Sequence, residues 1–220
     1  MTRSRYTAYL FDLDGTLVDS APDIDAALNH ALATADLAPV AQTLTRHWIG
    51  HGSRTLIKQA LQHQQQPSSD AVVDELIAPF LDYYTSNLAV HSEIYPRVRE
   101  TLQVLQDRGA RLAVVTNKLT ELSVPLLQQI GLYDYFELIV CGDTAAQPKP
   151  SAAPINLCLE RFNLAPEQVL MVGDSETDVL AAKAANVDVA CLRDGYNHGV
   201  DVTTLQADFV LETFADLPIG

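Results

Sequence analysis

The sequence predicts an α/β protein, a doubly wound parallel sheet interrupted near its start by a block of helices. Three observations carry this reading. From Arg97 onward, short apolar runs alternate with segments of helical spacing, the pattern of a parallel sheet flanked by helices. A further apolar run, Tyr9-Leu10-Phe11, stands alone near the N-terminus and leads directly into Asp12-Leu13-Asp14-Gly15-Thr16. Between residues 21 and 92 no run reads as a strand, although helical patterns are plain. A strand, an all-helical insertion and then a regular strand–helix alternation describe a Rossmann-like sheet with a second domain inserted after its first strand.

Taken in order, the first strand spans Thr7 to Phe11. Helical patterns follow at Ile24 to Ala35, Ser53 to His63 and Ala71 to Leu88, with Pro79 expected to kink or split the last. The Gln-rich stretch His63 to Pro67 reads as a turn. Crossings at Leu17 to Pro22 and His91 to Pro96 would connect two domains, residues 1–20 with 93–220 and residues 21–92. Beyond them, helices are expected at Val98 to Arg108, Thr120 to Ile130, Ala152 to Phe162 and Thr177 to Ala185. Gly109 and Gly131 follow the first two of these directly, where stop signals belong. Strands are expected at Arg111 to Thr116, Glu137 to Cys141, Gln168 to Gly173 and Val187 to Leu192, with a short last one at Ala207 to Val210.

Composition narrows the function. With 220 residues, 48% of them apolar, the chain can bury a substantial core. Its net charge of −14 argues against nucleic-acid and anionic-membrane partners, which demand clustered Lys and Arg. Cys141, Cys158 and Cys191 are odd in number, far apart and outside any CxxC. They read as buried reduced thiols, with neither a disulfide nor a zinc role. No apolar stretch precedes Asp12 as in a signal peptide, and none approaches the ~18 residues of a membrane span. A soluble cytoplasmic protein is expected.

The polar residues that end the apolar runs carry the chemistry. In open α/β sheets, ligands bind outside the carboxyl ends of the strands. The first run ends at Asp12, the second at Thr116-Asn117-Lys118, and the fourth at Gly173-Asp174-Ser175 with Asp178 a turn later. The third is followed by a loop bearing Lys149. Carboxylates at i and i+2 share one side of an extended chain, so Asp12 and Asp14 would crowd negative charge and require a cation or a raised pKa. Clustered carboxylates suit Mg2+, which takes one or two of them together with substrate phosphate and water. An ammonium, a hydroxyl and loop N–H groups would neutralise phosphoryl oxygens, and a carboxylate can attack phosphorus to form an aspartyl-phosphate. A small phosphorylated metabolite is the partner this inventory fits.

On these residues the chain resembles the haloacid dehalogenase superfamily of aspartate-nucleophile phosphatases. Four signatures carry the resemblance: Asp12-Leu13-Asp14-Gly15-Thr16, Thr116-Asn117, Lys149-Pro150, and Gly173-Asp174-Ser175-Glu176-Thr177-Asp178. Many relatives read Lys-Pro-x-Pro where this chain has Lys149-Pro150-Ser151-Ala152; the lysine itself is retained. Within the superfamily, three segments resemble the bacterial phosphoglycolate phosphatases: Asp19-Ser20-Ala21-Pro22-Asp23, Trp48-Ile49-Gly50-His51-Gly52 and Gly195-Tyr196-Asn197-His198-Gly199.

The resemblance implies that Asp12 attacks the phosphorus of a phosphomonoester and that Asp14 serves as acid, then as base. It implies Mg2+ held by Asp12, the backbone carbonyl of Asp14, and Asp174, with Asp178 and Ser175 acting through water or through Lys149. Thr116, Asn117 and Lys149 would hold the phosphoryl group. The helical insertion resembles the family's cap domain, which selects the substrate. Between Ala21 and Pro96 the only Lys and Arg are Arg46, Arg54 and Lys58. The glycine turn Gly50-His51-Gly52 and Arg54 are therefore the expected contacts for a leaving-group carboxylate such as that of 2-phosphoglycolate. Two nearby alternatives share the chemistry: a phosphatase for another small phosphoester such as a sugar phosphate, and a phosphomutase. A signalling receiver module also holds a phosphoryl group with Asp, Thr and Lys, but it would be a single small domain with neither a helical insertion nor Asp14.

Overall fold

A computed structural model describes residues 6–219. Its centre is a six-stranded sheet made of β1 (Ala8–Phe11), β4 (Arg111–Val115), β5 (Leu138–Val140), β6 (Val169–Gly173), β7 (Asp188–Leu192) and β8 (Phe209–Leu211), and two short strands, β2 (Val18–Asp19) and β3 (Glu93–Ile94), pair outside it. The six run parallel in the order β5-β4-β1-β6-β7-β8. From β1 the chain first builds outward through β4 and β5, then returns to the other side of β1 for β6. The order therefore reverses at β1, and a crevice opens at the carboxyl ends of β4, β1 and β6.

Strand alternation explains the two covered faces. Tyr9, Phe11, Leu112, Val114, Leu170 and Val172 point to one side. There they meet α5 (Val98–Asp107) and α6 (Thr120–Gln129) through Leu102, Leu105, Leu126 and Leu127. Ala8, Leu10, Ala113, Val115 and Met171 point to the other side and meet α7 (Ala153–Phe162) and α8 (Glu176–Ala184). Cys158 and Cys191 are packed in this second layer, and all three cysteines are buried and unpaired. Burial pushes the Cys158 thiol up to about 12, so it stays protonated.

Helices α1 (Ala21–Thr34), α2 (Gln42–Trp48), α3 (Ser53–His63) and α4 (Asp70–Ser86) share an apolar cluster of their own, joined from the sheet side by Leu122 and Tyr196. Of the kink or split expected at Pro79, the split does not occur: α4 is one helix from Asp70 to Ser86 with the proline inside it. Its buried residues Val73, Leu76, Phe80 and Tyr84 keep helical spacing across the proline, so packing holds the helix where one backbone bond is lost. The two crossings to the helical block lie side by side, since β2 pairs antiparallel with β3, Val18 opposite Ile94. Buried Asp23 fastens them further by accepting from the backbone N–H groups of His91 and Ser92 and from the Ser92 hydroxyl. Among the described residues, no helix is long and apolar enough to cross a membrane.

Candidate active site

Asp12 leaves the end of β1 with its N–H bonded to the Val172 carbonyl of β6, which sets its side chain at the crevice. Its Oδ1 accepts the Leu13 N–H at 2.7 Å and stands 3.0 Å from Lys149 Nζ. Lys149 is almost wholly buried, and its ammonium also donates to Asp178 Oδ1 at 2.6 Å and to the Val115 carbonyl at 2.7 Å. The other Asp178 oxygen accepts the Ser175 hydroxyl and the N–H groups of Asp174 and Ser175, closing the first turn of α8. Asp174 is held by the Thr16 hydroxyl at 2.6 Å on one oxygen and the Tyr196 N–H at 2.5 Å on the other.

Asp12, Asp174 and Asp178 each bring one oxygen within 4.8 Å of the others, and all three are buried. Three carboxylates face one ammonium. Burial, opposed by Lys149 and reinforced by Asp178, lifts the Asp12 pKa to about 7. Burial and the neighbouring Asp178 and Asp12 charges push Asp174 well above the usual carboxylate range. Burial alone would lower the Lys149 pKa, but Asp12 and Asp178 outweigh it and hold the ammonium charged. An all-oxygen donor set with excess negative charge fits a hard divalent cation. The backbone is shaped for this crowding. Gly15 lies at φ +89, and a Cβ there would come within 2.4 Å of Asp174 Oδ2. A Cβ on Gly173 would meet the Asp178 carboxyl carbon at 2.3 Å.

The expectation that Asp12 and Asp14 share one side of an extended chain is corrected. The backbone turns immediately after Asp12, with the Leu13 carbonyl accepting the N–H groups of Leu17 and Val18. The Asp14 side chain therefore lies apart from the trio. It accepts the Ser20 hydroxyl and both contacts of Lys118 Nζ, each at 3.1 Å. Lys118 also donates to the Tyr84 hydroxyl of α4 at 2.6 Å, and its charge lies 4.6 Å from that ring's centre. Buried beside Asp14 and Tyr84, this ammonium is held above the ordinary lysine pKa despite desolvation.

A cleft of 590 Å³ opens between the carboxyl ends of the strands and the helical block. Asp12, Asp14, Thr116, Asn117 and Lys118 form its floor, while Gly50, His51, Gly52, Arg54 and Tyr84 approach from the helices. Asn117 binds Lys149 reciprocally and donates to the Gly50 carbonyl at 3.0 Å, so the glycine turn is fastened to the floor. Thr116 is buried at the end of β4, its hydroxyl accepting the Lys118 N–H. His51 stacks on His198 with ring centres 4.8 Å apart, and the His198 Nδ1–H donates to the His47 carbonyl. Arg54 lines the cleft, yet its half-exposed guanidinium already pairs with Asp74.

The sequence assigns no role to Thr16, Tyr84, Lys118 or Tyr196, although Thr16, Lys118 and Tyr196 stand inside the stretches quoted above, and that membership is the signal available for them. Tyr84 has no such mark, because its position on α4 reads as core packing.

A parallel α/β sheet here gathers buried carboxylates and a lysine at its switch point, the place where open α/β sheets bind their ligands. The chain is a member of the haloacid dehalogenase-like hydrolase family, which its residues 9–192 match. It is 40% identical to a phosphoglycolate phosphatase of Nitrosococcus oceani over 94% of this chain and 93% of that protein. It is 41% identical to another of that name from Agrobacterium fabrum, over 94% and 89% of the two chains. The crystal structure of a predicted phosphoglycolate phosphatase from Haemophilus somnus superposes with a TM-score of 0.92 at 34% identity, covering 97% of this chain and 96% of that one.

Proposed function

We propose that this protein is a Mg2+-dependent phosphomonoester hydrolase that converts 2-phosphoglycolate to glycolate and phosphate. The observation that carries the chemistry is the contact of Lys149 Nζ with Asp12 Oδ1 inside a buried carboxylate trio. The substrate rests on the relatives named phosphoglycolate phosphatase at about 40% identity over nearly the whole chain. In this reading residues 1–20 and 93–220 form the catalytic core and residues 21–92 a cap over it.

Asp12 is the nucleophile. Its carboxylate is fixed by Leu13 N–H and Lys149, and one oxygen forms a bond to phosphorus as the ester P–O bond breaks. Asp14 gives its proton to the departing alkoxide. It then takes a proton from the water that attacks the aspartyl-phosphate, which releases phosphate and restores Asp12. Its side chain suits that task because Ser20 and Lys118 hold it away from the trio. Lys149, Thr116 and the N–H groups around Asn117 bind phosphoryl oxygens, and positioning of this kind supplies most of phosphoryl-transfer catalysis. Mg2+ would be held by Asp12, Asp174 and the Asp14 carbonyl, with Asp178 and Ser175 positioning water and Lys149; it supplies charge neutralisation at the phosphoryl group.

The test is phosphate release by purified protein with and without Mg2+, over 2-phosphoglycolate, sugar phosphates, nucleotides and phosphoserine. Preference for 2-phosphoglycolate with loss of activity in EDTA is the expected result. Preference for a sugar phosphate would replace the substrate, and full activity in EDTA would remove the metal.

A further inference from the structure

Recognition of the leaving group needs a cation or donors close to where its oxygen departs. Arg54, the expected cap contact, has its charge matched by Asp74, with Asp70 at 4.0 Å. Arg46 is paired with Asp19. Lys149 lies against Asp178, Asp12 and the Val115 carbonyl. Lys58 lines the cleft but is exposed, where water weakens any charge contact. Lys118 is different. It lines the same cleft, its side chain is only 6% exposed, and it touches the residue that must protonate the leaving oxygen.

We propose that Lys118 recognises the anionic group carried by the leaving alcohol and so sets a preference for phosphoesters of a hydroxy acid. This rests on the hydrolase reading above. Asp14 must come within hydrogen-bond reach of the ester oxygen, and Lys118 Nζ stands 3.1 Å from both Asp14 oxygens. In 2-phosphoglycolate a single methylene separates the ester oxygen from the carboxylate. A pose that sets the ester oxygen on Asp14 therefore leaves the carboxylate within reach of Lys118. An ammonium has three donors. One shared side-on by the two Asp14 oxygens and one on the Tyr84 hydroxyl leave a third for the incoming anion.

Tyr84 belongs to α4, so it aims the ammonium from the helical block. The backbone of Lys118 is fixed from the other side by the Gly142 N–H on its carbonyl. A Cβ at position 142 would meet the Asn117 carbonyl at 2.4 Å, so this loop packs without room for a larger residue.

The experiment compares wild type with Lys118→Met on 2-phosphoglycolate and on 2-hydroxyethyl phosphate. Both alcohols are poor leaving groups and draw equally on Asp14, so the ratio of kcat/KM values isolates the carboxylate. The expected result is a wild-type preference for 2-phosphoglycolate that falls by about 10- to 1,000-fold in Lys118→Met, mainly through KM, the range for losing a desolvated charged contact. Lys118→Arg should recover part of it. An equal loss on both substrates would confine Lys118 to holding Asp14 and overturn the proposal, as would an unchanged ratio; either leaves the phosphoglycolate reading standing. A wild type without preference would end both. If Lys118→Met melts early, Tyr84→Phe decides: it keeps the charge and removes the hydroxyl that aims it. A fall in the same ratio supports the proposal, and an unchanged ratio overturns it.

Discussion

Asn117 and Lys149 are joined by a reciprocal pair of hydrogen bonds: the Asn117 amide nitrogen donates to the Lys149 carbonyl at 3.0 Å, and its oxygen accepts the Lys149 N–H at 2.8 Å. The same amide nitrogen reaches the Gly50 carbonyl. One side chain therefore sets the backbone of the buried Lys149 and ties the glycine turn of the helical block to it. Asn117→Ala orphans one N–H and two carbonyls in partly buried positions. It should cost about 2 kcal/mol of stability and lower kcat/KM on every substrate by about 10- to 100-fold, since misplacing Lys149 harms phosphoryl binding generally. Denaturant melts and steady-state kinetics check both. A substrate-selective loss would place Asn117 against the leaving group instead.

Asp12, the proposed nucleophile, also bears on stability. Its pKa rises from 3.8 to about 7 in the folded metal-free protein, chiefly through burial. The folded state therefore binds this proton more tightly than the unfolded state does. Stability from this group is complete below pH 3.8 and is lost as pH rises through about 7, after which it is flat. Asp12→Asn removes that slope. In EDTA, the melting temperature of the variant relative to wild type should climb between pH 4.5 and pH 8, by up to about 10 °C for a shift worth up to about 4 kcal/mol. Turnover should vanish throughout. A difference independent of pH would show that Asp12 ionises normally.

Asp174 and Asp178 lie in one trio but are built differently. Asp178 holds Lys149 and three donors at the start of α8, so Asp178→Ala removes one of the buried ammonium's two carboxylate partners and leaves a hydroxyl and two N–H groups without their acceptor. It should destabilise by about 3–5 kcal/mol. Asp174 is a carboxylate whose charge burial disfavours, so Asp174→Asn should leave the metal-free fold nearly as stable. It should instead raise the Mg2+ concentration for half-maximal activity by about 10- to 100-fold. Thermal melts in EDTA and Mg2+ titrations separate the two, and equal effects in both assays would contradict the division.

The strand-end chemistry was legible because it is local. Asp12, Thr116, Lys149 and Asp174 each sit next to or shortly after an apolar run, and a parallel sheet brings such ends together. What was not legible depends on distant partners or on lengths too short to pattern. Helix α2 buries only Thr45, so it shows no apolar stripe, and β2 and β3 are two residues each. The turn after Asp12 undoes the extended spacing that would join Asp14 to it. The role of Lys118 depends on Tyr84, a residue 34 positions away on another element. Counting the cations of the helical block found Arg46 and Arg54 but not the acids that occupy them, Asp19 and Asp74.

That occupancy makes a prediction for Arg54. Its guanidinium is half exposed and already matched by Asp74, with Asp70 close by. An exposed pair of this kind is worth little, and its charge reaches a bound ligand only after screening by its own acids. Arg54→Ala should therefore change kcat/KM for 2-phosphoglycolate by less than about tenfold and should shift melting little. Asp74→Ala would free the guanidinium and is the informative companion. If Arg54 serves the substrate once released, Asp74→Ala should lower KM for 2-phosphoglycolate while leaving 2-hydroxyethyl phosphate unmoved. A loss beyond about a hundredfold in Arg54→Ala, confined to the carboxylate-bearing substrate, would show that Arg54 leaves Asp74 on binding and takes the carboxylate itself.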